Sequence, residues 1–365
     1  MAAIVWIVLL LAALYIVQRV VFAALGFRSL AYERSFSSPR IHAGETVWMR
    51  ETIANRKRLP LPWLRVEAML PAQLVFAHRE ADTAINSGDR LQNHASLFSI
   101  PGHTEIVRKH EIVCPRRGKY RVSSYTITTG DLIGVSVKSA VRRGECELVV
   151  YPALKSLRDF PLEARKFLQS VRSMVSPVTE DHYYVAGIRP YREGDSFRMI
   201  NWSATAKTGE LLVHKRESMR DNDLTIVLNA ELLDSANNER ITDEQFEEAL
   251  GYAASAAQYV ISGGGKAGFV YNGANDSGET VFRAPARAGA AHMDMLLDAM
   301  AGFRPVATLG LTYLLEQLAA ERMSGRNVLL LTAFVDRKQQ QLIGRLRSQG
   351  NLVQLLLLAK GAGET

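Results

Sequence analysis

The sequence predicts an N-terminal transmembrane helix followed by an α+β multidomain fold, a β-sandwich and then an α/β domain with a mostly parallel sheet. Apolar residues run from Ala2 to Val17. Short alternating segments between Gly and Pro turns then indicate a sandwich. Later, unbroken apolar strands alternate with helices, which is typical of a covered parallel sheet. The predicted parts are residues 1–27 (anchor), 32–152 (sandwich), 153–223 (connector and signature segment) and 224–365 (α/β domain).

Composition and charge restrict the class of protein. The chain has 365 residues, 47% hydrophobic and 22% charged, which fits a globular protein of two or three domains. The net charge is +7, and residues 1–160 carry 22 Lys and Arg against 13 Asp and Glu. These cations are scattered among apolar residues. They therefore favour attraction to anionic lipid headgroups over binding to nucleic acid.

The apolar N-terminal segment predicts a single membrane-spanning helix. The run pauses at Arg19, whose long side chain can reach the interface, so the usable span extends to about Leu25. No Lys or Arg precedes the run, whereas arginines follow it. By the positive-inside rule, this bias predicts folded domains on the cytoplasmic side.

The sandwich region contains two further features. The segment from Asn55 to Pro71 alternates prolines with apolar residues, and we expect it on an edge strand or its approach because proline cannot donate to a strand ladder. Cys114 and Cys146 follow no metal or redox spacing, which predicts two ordinary half-buried thiols. A disulfide between them would require an oxidising compartment.

The α/β region shows clear helix signals. Thr242 and Gln245 form a capping box that predicts a helix to about Ile261, ended by the glycines 263–265. These glycines follow a helix and precede a strand, which is the reverse of a phosphate-binding loop. No Gly-x-Ser-x-Gly, Walker or His-Glu-x-x-His motif occurs.

The segment Gly187–Glu217 mixes charges, a tryptophan and small residues. We expect Asp195 or Ser196 to cap a short helix that places Phe197, Ile200 and Ala204 on one face and ends at Gly209. Three arginines of this segment could pair with its acids in a half-buried network, and they are also candidates for a binding surface. They are Arg189, Arg192 and Arg198, opposite Glu193 and Asp195. Trp202 could contact a partner or anchor a core, and we favour the core.

These residues resemble the signature of the bacterial domain-of-unknown-function family numbered fifty-eight. The matching positions include Gly187, Arg189, Tyr191, Gly194, Asp195, Arg198, Ile200, Trp202, Ala204, Thr208, Gly209, Leu211 and Val213. One departure is Asn201, where the family usually has Asp.

The resemblance implies a C-terminal domain similar to von Willebrand factor type A domains. Those domains bind a divalent ion through Asp, Ser and Thr oxygens, a set suited to magnesium. The corresponding positions here are degenerate, so we expect no metal and no cofactor: Asn229, Glu231, Thr308 and Ala333. A displaced site would need Glu231 or Asp336.

Family context implies the partners, a MoxR-type AAA+ ATPase and a membrane protein with a transglutaminase-like domain. The main hypothesis is therefore a membrane-anchored, non-enzymatic scaffold that binds proteins. Two alternatives stay open. One is a hydrolase or metal-dependent enzyme built from scattered residues such as Asp195, His214 and Glu217, and the other is an extracellular adhesion domain.

Overall fold

The computed structural model describes residues 2–78, 83–88, 90–131, 134–173, 184–192, 195, 197, 200–217, 223–231, 233–234, 239–240, 242–321 and 324–358. The chain divides into two compact units, Met1–Ala153 and Leu154–Thr365.

The first unit opens with helix α1 (Ala2–Leu25), which is long and apolar enough to cross a membrane. Two lysines of the sandwich donate to carbonyl groups at the end of this helix. Lys57 Nζ lies 2.7 Å from Gly26 O, and Lys138 Nζ lies 2.7 Å from Ala23 O. The last carbonyls of a helix lack partners within the helix and carry partial negative charge, so ammonium groups stabilise them. The end of α1 is thereby bonded to the sandwich.

The strands of this unit form two sheets, with orders β1-β3-β8-β5 and β2-β10-β9-β4-β7-β6. The strands are β1 (Leu30–Phe36), β2 (Arg40–His42), β3 (Thr46–Asn55), β4 (Leu61–Pro71), β5 (Val75–Phe76), β6 (Thr83–Ser87), β7 (Leu91–Ile100), β8 (Thr104–Val113), β9 (Gly118–Gly130) and β10 (Val137–Tyr151). Val47 and Met49 of one sheet share a buried core with Leu70 and Leu148 of the other. The two sheets therefore pack face to face, as expected for a sandwich.

The edge position expected for the proline-containing segment is wrong. β4 pairs with β7 on one side and β9 on the other. The pairing with β7 shifts register between Leu61 and Leu64, so Pro62 lies in an irregularity, and Pro71 ends the strand. Prolines placed at a bulge and a strand end remove few ladder hydrogen bonds, so the strand is tolerated inside the sheet.

A buried carboxylate lies between the two sheets. Glu51 Oε1 accepts from Tyr32 OH at 2.5 Å and Arg34 Nη2 at 2.6 Å, and Oε2 accepts from Ser96 Oγ at 2.7 Å and His110 Nε2 at 3.0 Å. Burial alone would raise the pKa of Glu51, but the His110 hydrogen bond and the Arg34 charge hold it well below its usual value. Glu51 is thus ionised and fully bonded inside the sandwich.

Cys114 and Cys146 are both free. Both are buried rather than half-buried, and burial raises the pKa of Cys114 to about 11. These thiols are therefore protonated at neutral pH.

The second unit contains an α/β sheet with strand order β18-β16-β13-β20-β21. Its described elements are α2 (Leu162–Ser173), β11 (Tyr184–Pro190), α3 (Trp202–Thr208), β12 (Leu212–Glu217), β13 (Leu224–Leu228), β14 (Leu233–Asp234), β15 (Glu239–Arg240), α4 (Asp243–Ser262), β16 (Ala267–Tyr271), β17 (Gly273–Asn275), β18 (Phe282–Arg287), α5 (Ala290–Ala301), β19 (Phe303–Ala307), α6 (Leu311–Ala320), β20 (Asn327–Thr332), α7 (Arg337–Ser348) and β21 (Leu352–Leu357). β13 pairs in parallel with β16 and β20, and β20 with β21.

Helices cover both faces of this sheet. Val227 and Val270 pack with apolar residues of α6 and α7, and on α4 the ring of Phe246 lies 6.0 Å from that of Tyr271. Every residue of β13, β16 and β20 is buried, which explains their unbroken apolar sequences. The capping box of α4 is confirmed, whereas the antiparallel edge strand β18 was not predicted.

Two neighbouring residues of β4 provide a test of the sandwich core. Leu70 is fully buried and Met69 is 55% exposed. We expect Leu70→Ala to lower the free energy of unfolding by about 2–5 kcal/mol through the cavity it leaves. Met69→Ala should change it by less than about 0.5 kcal/mol. Chemical denaturation of the full chain in detergent measures both, and equal effects would contradict the inward and outward assignment.

Candidate functional site

In the signature segment, β11 and β12 pair in antiparallel fashion, and α3 lies between them in the sequence. Arg189 pairs with Val213 across these strands, and an isolated bridge joins Ile200 to Val213. Ile200 and Val213 are buried, so they anchor the segment.

The helix of this segment begins later than expected. Asn201 is its N-cap and accepts from Ala204 N at 3.0 Å, so Asp195 does not cap it. Ser196 lies outside the described residues. Asn and Asp are equally good caps, so Asn201 fills a structural role that needs no negative charge. Gly209 ends the helix with φ 74°, as predicted.

A bidentate ion pair holds the turn before the helix. Arg189 Nη1 and Nη2 each lie 2.7 Å from an oxygen of Asp195, and Arg192 donates its main-chain N–H to Asp195 at 2.9 Å. The Arg189 hydrogen bond and then the Arg192 main-chain bond lower the pKa of Asp195 to about 2. A carboxylate held in this way is poorly suited to act as a general base near neutral pH. Of the other predicted network residues, Glu193, Gly194 and Arg198 lie outside the described residues.

Large apolar side chains of this segment are exposed. Phe197 is 72% exposed and Trp202 is 65% exposed, so the core position expected for Trp202 is wrong. Trp202 is the first residue of a helix of only seven residues, and the buried contact is made instead by Ile200, two residues earlier. Tyr191 stacks on Phe197 with ring centroids 6.3 Å apart, and its N–H donates to the carbonyl of Leu211, which is 44% exposed. Apolar and aromatic groups are thus presented beside the ion pair.

A second polar group lies at the carboxyl edge of the parallel sheet, where ligands bind in many open α/β folds. Asn229 follows β13, Asn272 follows β16 and Thr332 ends β20. Asn229 Nδ2 lies 3.0 Å from Thr332 Oγ1, and Asn272 Nδ2 lies 2.8 Å from Asn229 Oδ1. Thr308 Oγ1 donates to the Asn272 carbonyl at 2.9 Å. We call Asn229, Asn272, Thr308 and Thr332 the amide network.

The amide network does not fit a magnesium ion. Asn229 Oδ1 already accepts from Glu231 N at 3.1 Å as well as from Asn272, and Asn272 Oδ1 accepts from Ala230 N at 2.6 Å. The amide oxygens therefore have hydrogen-bond partners, and the network contains no carboxylate, the usual protein ligand of Mg²⁺. Ala333 offers only a methyl group.

Of the two candidates for a displaced site, Asp336 caps α7 by accepting from Gln339 N at 2.6 Å, and the carboxylate of Glu231 lies beside Gly310.

Sequence reasoning identified Asn229 and Thr308 but missed Asn272 and Thr332. Both residues lie at the end of a buried apolar strand, and a polar residue at that position was the sequence feature that could have indicated them. Asn272 connects the network, because its side chain bonds Asn229, Ala230 and the carbonyl of Leu309.

The Asp195 carboxyl group should titrate well below its ordinary value of 3.8. Because its pKa is lowered on folding, the ion pair stabilises the segment above the ordinary pKa and is lost as pH falls towards about 2. Carbon-13 NMR of labelled aspartates, assigned with Asp195→Asn, should give a midpoint near 2, and Arg189→Gln should move it upwards. Arg192→Gln keeps the main-chain N–H and should move it less. A midpoint unaffected by Arg189→Gln would refute the pairing.

Removing the centre of the amide network should destabilise the second unit. Asn272→Ala leaves the Ala230 N–H and Leu309 carbonyl without this side-chain partner, which should cost about 1–3 kcal/mol of unfolding free energy. Asn275→Ala removes exposed hydrogen bonds and should cost less than about 0.5 kcal/mol. Thermal denaturation with and without added Mg²⁺ measures both. Stabilisation by Mg²⁺ that Asn272→Ala abolishes would overturn the interpretation of a metal-independent network.

Comparisons with known proteins support the resemblance inferred from the signature. Residues 187–360 match the model of a family described as "Protein of unknown function DUF58". The match begins at Gly187, the first residue of the signature segment, and covers a little under half of the chain.

A protein of Bacillus subtilis (strain 168), "Uncharacterized protein YeaD", is 24% identical over 242 residues, which are 66% of this chain and 55% of that protein. The chain thus matches only about half the length of that relative.

Solved structures with some likeness include β-rich modules. A non-cellulosomal cohesin from Archaeoglobus fulgidus is 15% identical with a TM-score of 0.23, over 32% of this chain and 91% of the cohesin. The major pilin SpaD from Corynebacterium diphtheriae is 10% identical with a TM-score of 0.25, over 32% of this chain and 35% of the pilin. Likenesses with TM-scores this low carry no functional argument. Over residues 187–360, the chain is therefore similar to the family of unknown function DUF58.

Proposed function

We propose that the chain is a non-enzymatic, membrane-anchored scaffold whose signature segment binds another protein. The observation that carries this proposal is the exposure of Phe197 and Trp202 on a segment whose backbone is fixed by buried residues and an ion pair. Exposing large aromatic side chains to water is unfavourable, and such groups beside charges are typical of binding surfaces.

The chemistry of this segment suits a protein partner. Aromatic residues and arginines dominate the binding energy of many interfaces, because they bury large areas and form bidentate hydrogen bonds. The Arg189–Asp195 pair fixes the turn that carries Tyr191, and Tyr191 in turn stacks on Phe197. A preformed surface of this kind loses less conformational entropy on binding than a flexible one.

The identity of the partner rests on family context. The signature implies a MoxR-type AAA+ ATPase as the partner and a type A-like character for the α/β sheet. The mostly parallel sheet with helices on both faces is compatible with that character. Since the amide network does not fit magnesium, protein binding in this scheme does not depend on a metal at the carboxyl edge of the sheet.

The location follows from the N-terminal helix and the charges after it. α1 is long and apolar enough to span a membrane, and Arg19, Arg28, Arg34 and Arg40 follow the apolar run. We place the folded units in the cytoplasm, where an ATPase could reach them.

Cross-linking in living cells tests the proposal. The native chain and a Phe197→Ala/Trp202→Ala variant would be captured, and bound proteins identified by mass spectrometry. We expect an AAA+ ATPase with the native chain and at least a tenfold lower yield with the variant, since loss of two hot-spot aromatics costs several kcal/mol. Tyr313→Ala is the matched control, because Tyr313 is 51% exposed on α6 of the same unit.

Equal capture by all three chains would show that the signature segment is not the binding surface. Capture of extracellular or envelope proteins alone would contradict both the proposed partner and the cytoplasmic location.

A further inference from the structure

The sandwich contains a group of metal-binding side chains that is independent of the signature segment. Within the described residues, Glu51, His94 and His110 are the group whose ligand atoms all lie within 4.8 Å of one another. All three side chains are almost completely buried. They come from both sheets, since Glu51 and His110 lie on β3 and β8 and His94 lies on β7.

The burial of His94 is not explained by the hydrogen bonds around Glu51. Its side chain is fully buried, and neither ring nitrogen has a hydrogen-bond partner among the residues that the structure describes. One face stacks on Phe76 at 4.8 Å, and the ring meets His110 edge to face at 5.0 Å. Its Nδ1 lies 3.9 Å from Glu51 Oε1. A buried imidazole without partners is unfavourable, and a leucine or phenylalanine would fill the same space without that cost.

The separations between ligand atoms are close to those of a metal site. Tetrahedral Zn²⁺ sites have bonds of about 2.0–2.2 Å, which place neighbouring ligand atoms about 3.3–3.5 Å apart. The carboxylate of Glu51 lies 3.0 Å from His110 Nε2 and 3.9 Å from His94 Nδ1. The two contacts are made by different carboxylate oxygens, and one ligand atom from each residue lies within 4.8 Å of the others. The three side chains must therefore move closer together to surround one ion.

We propose that Glu51, His94 and His110 bind a divalent transition-metal ion such as Zn²⁺ inside the sandwich. Two imidazoles and one carboxylate are the nitrogen and oxygen ligands that such ions prefer, whereas Mg²⁺ and Ca²⁺ prefer oxygen ligands alone. Tyr32, Arg34 and Ser96 would orient the carboxylate from outside the ligand shell, as hydrogen-bond donors do around many metal sites.

Arg34 limits the affinity of this site. Its guanidinium lies 2.6 Å from Glu51 Oε1 and opposes a second positive charge nearby. The ion must also displace hydrogen bonds that His110 and its neighbours already make to Glu51. The proposed site therefore has a lower affinity than a structural zinc site. For this reason the experiment below adds free Zn²⁺ or Co²⁺ to the protein.

Two of the residues that bond Glu51 also line a cavity. It has a volume of about 90 Å³ and is lined in part by Tyr32 and Arg34, both bonded to Glu51. Tyr125 and Gly144 lie on its other walls.

Metal binding by the full chain in detergent tests the proposal. The chain would be treated with chelator, dialysed and titrated with Co²⁺, whose visible absorption reports tetrahedral nitrogen and oxygen ligation. We expect one equivalent to bind, and Zn²⁺ to displace it and raise Tm by several degrees. His94→Phe should abolish the absorption and the rise in Tm while keeping the fold, because His94 makes no hydrogen bond that the variant would lose.

His78→Phe is the control, because the side chain of His78 is 81% exposed on the same unit. X-ray absorption of the Zn²⁺-loaded native chain gives a readout that needs no variant, and it should show imidazole ligands. No bound equivalent, unchanged binding by His94→Phe, or sulfur ligation from Cys114 or Cys146 would each overturn the proposal.

Discussion

The packing of the two sandwich sheets depends most on the hydrogen bonds that surround the ionised carboxylate of Glu51. A carboxylate without water is stable only when nearly all of its lone pairs are occupied, and donors from β1, β7 and β8 occupy them here. Because these strands belong to both sheets, the requirement fixes the register of one sheet against the other. An apolar core of equal volume would tolerate sliding, whereas a charge with four partners tolerates very little.

The second unit solves a related problem with neutral groups. The carboxyl ends of its buried strands also leave polar atoms inside, but these are bonded by Asn229, Asn272 and Thr332 without any charge. Neutral amides cost less to bury than a carboxylate, and each one can donate and accept. The polar groups at this edge of the sheet are thus bonded to one another. The large exposed aromatic side chains lie on the signature segment instead.

Local signals predicted much of this structure. Apolar runs located β13, β16 and β20, and the capping box located α4. Properties that depend on distant residues were harder to predict. The interior position of β4 depends on its partners, and the exposure of Trp202 depends on Asn201 starting the helix instead of Asp195.

The Glu51 cluster left a signal that was overlooked. Glu51 lies on the inward face of β3, the same face as Val47, Met49 and Ile53. A charged side chain on an otherwise apolar strand face requires a buried partner. Which residues provide that partner could not be read from the sequence, since His94 and His110 reach it only through strand pairing across two sheets.

The lysine contacts at the end of α1 have a mechanical consequence. Lys138 bonds the carbonyl of Ala23 in the last turn of the helix, Lys57 bonds that of Gly26 just after it, and only residues 26–29 separate α1 from β1. When such a helix crosses a bilayer, its tilt depends on bilayer thickness. A change of tilt would then act on the sandwich through these contacts, so bilayer thickness bears on the direction in which this unit faces.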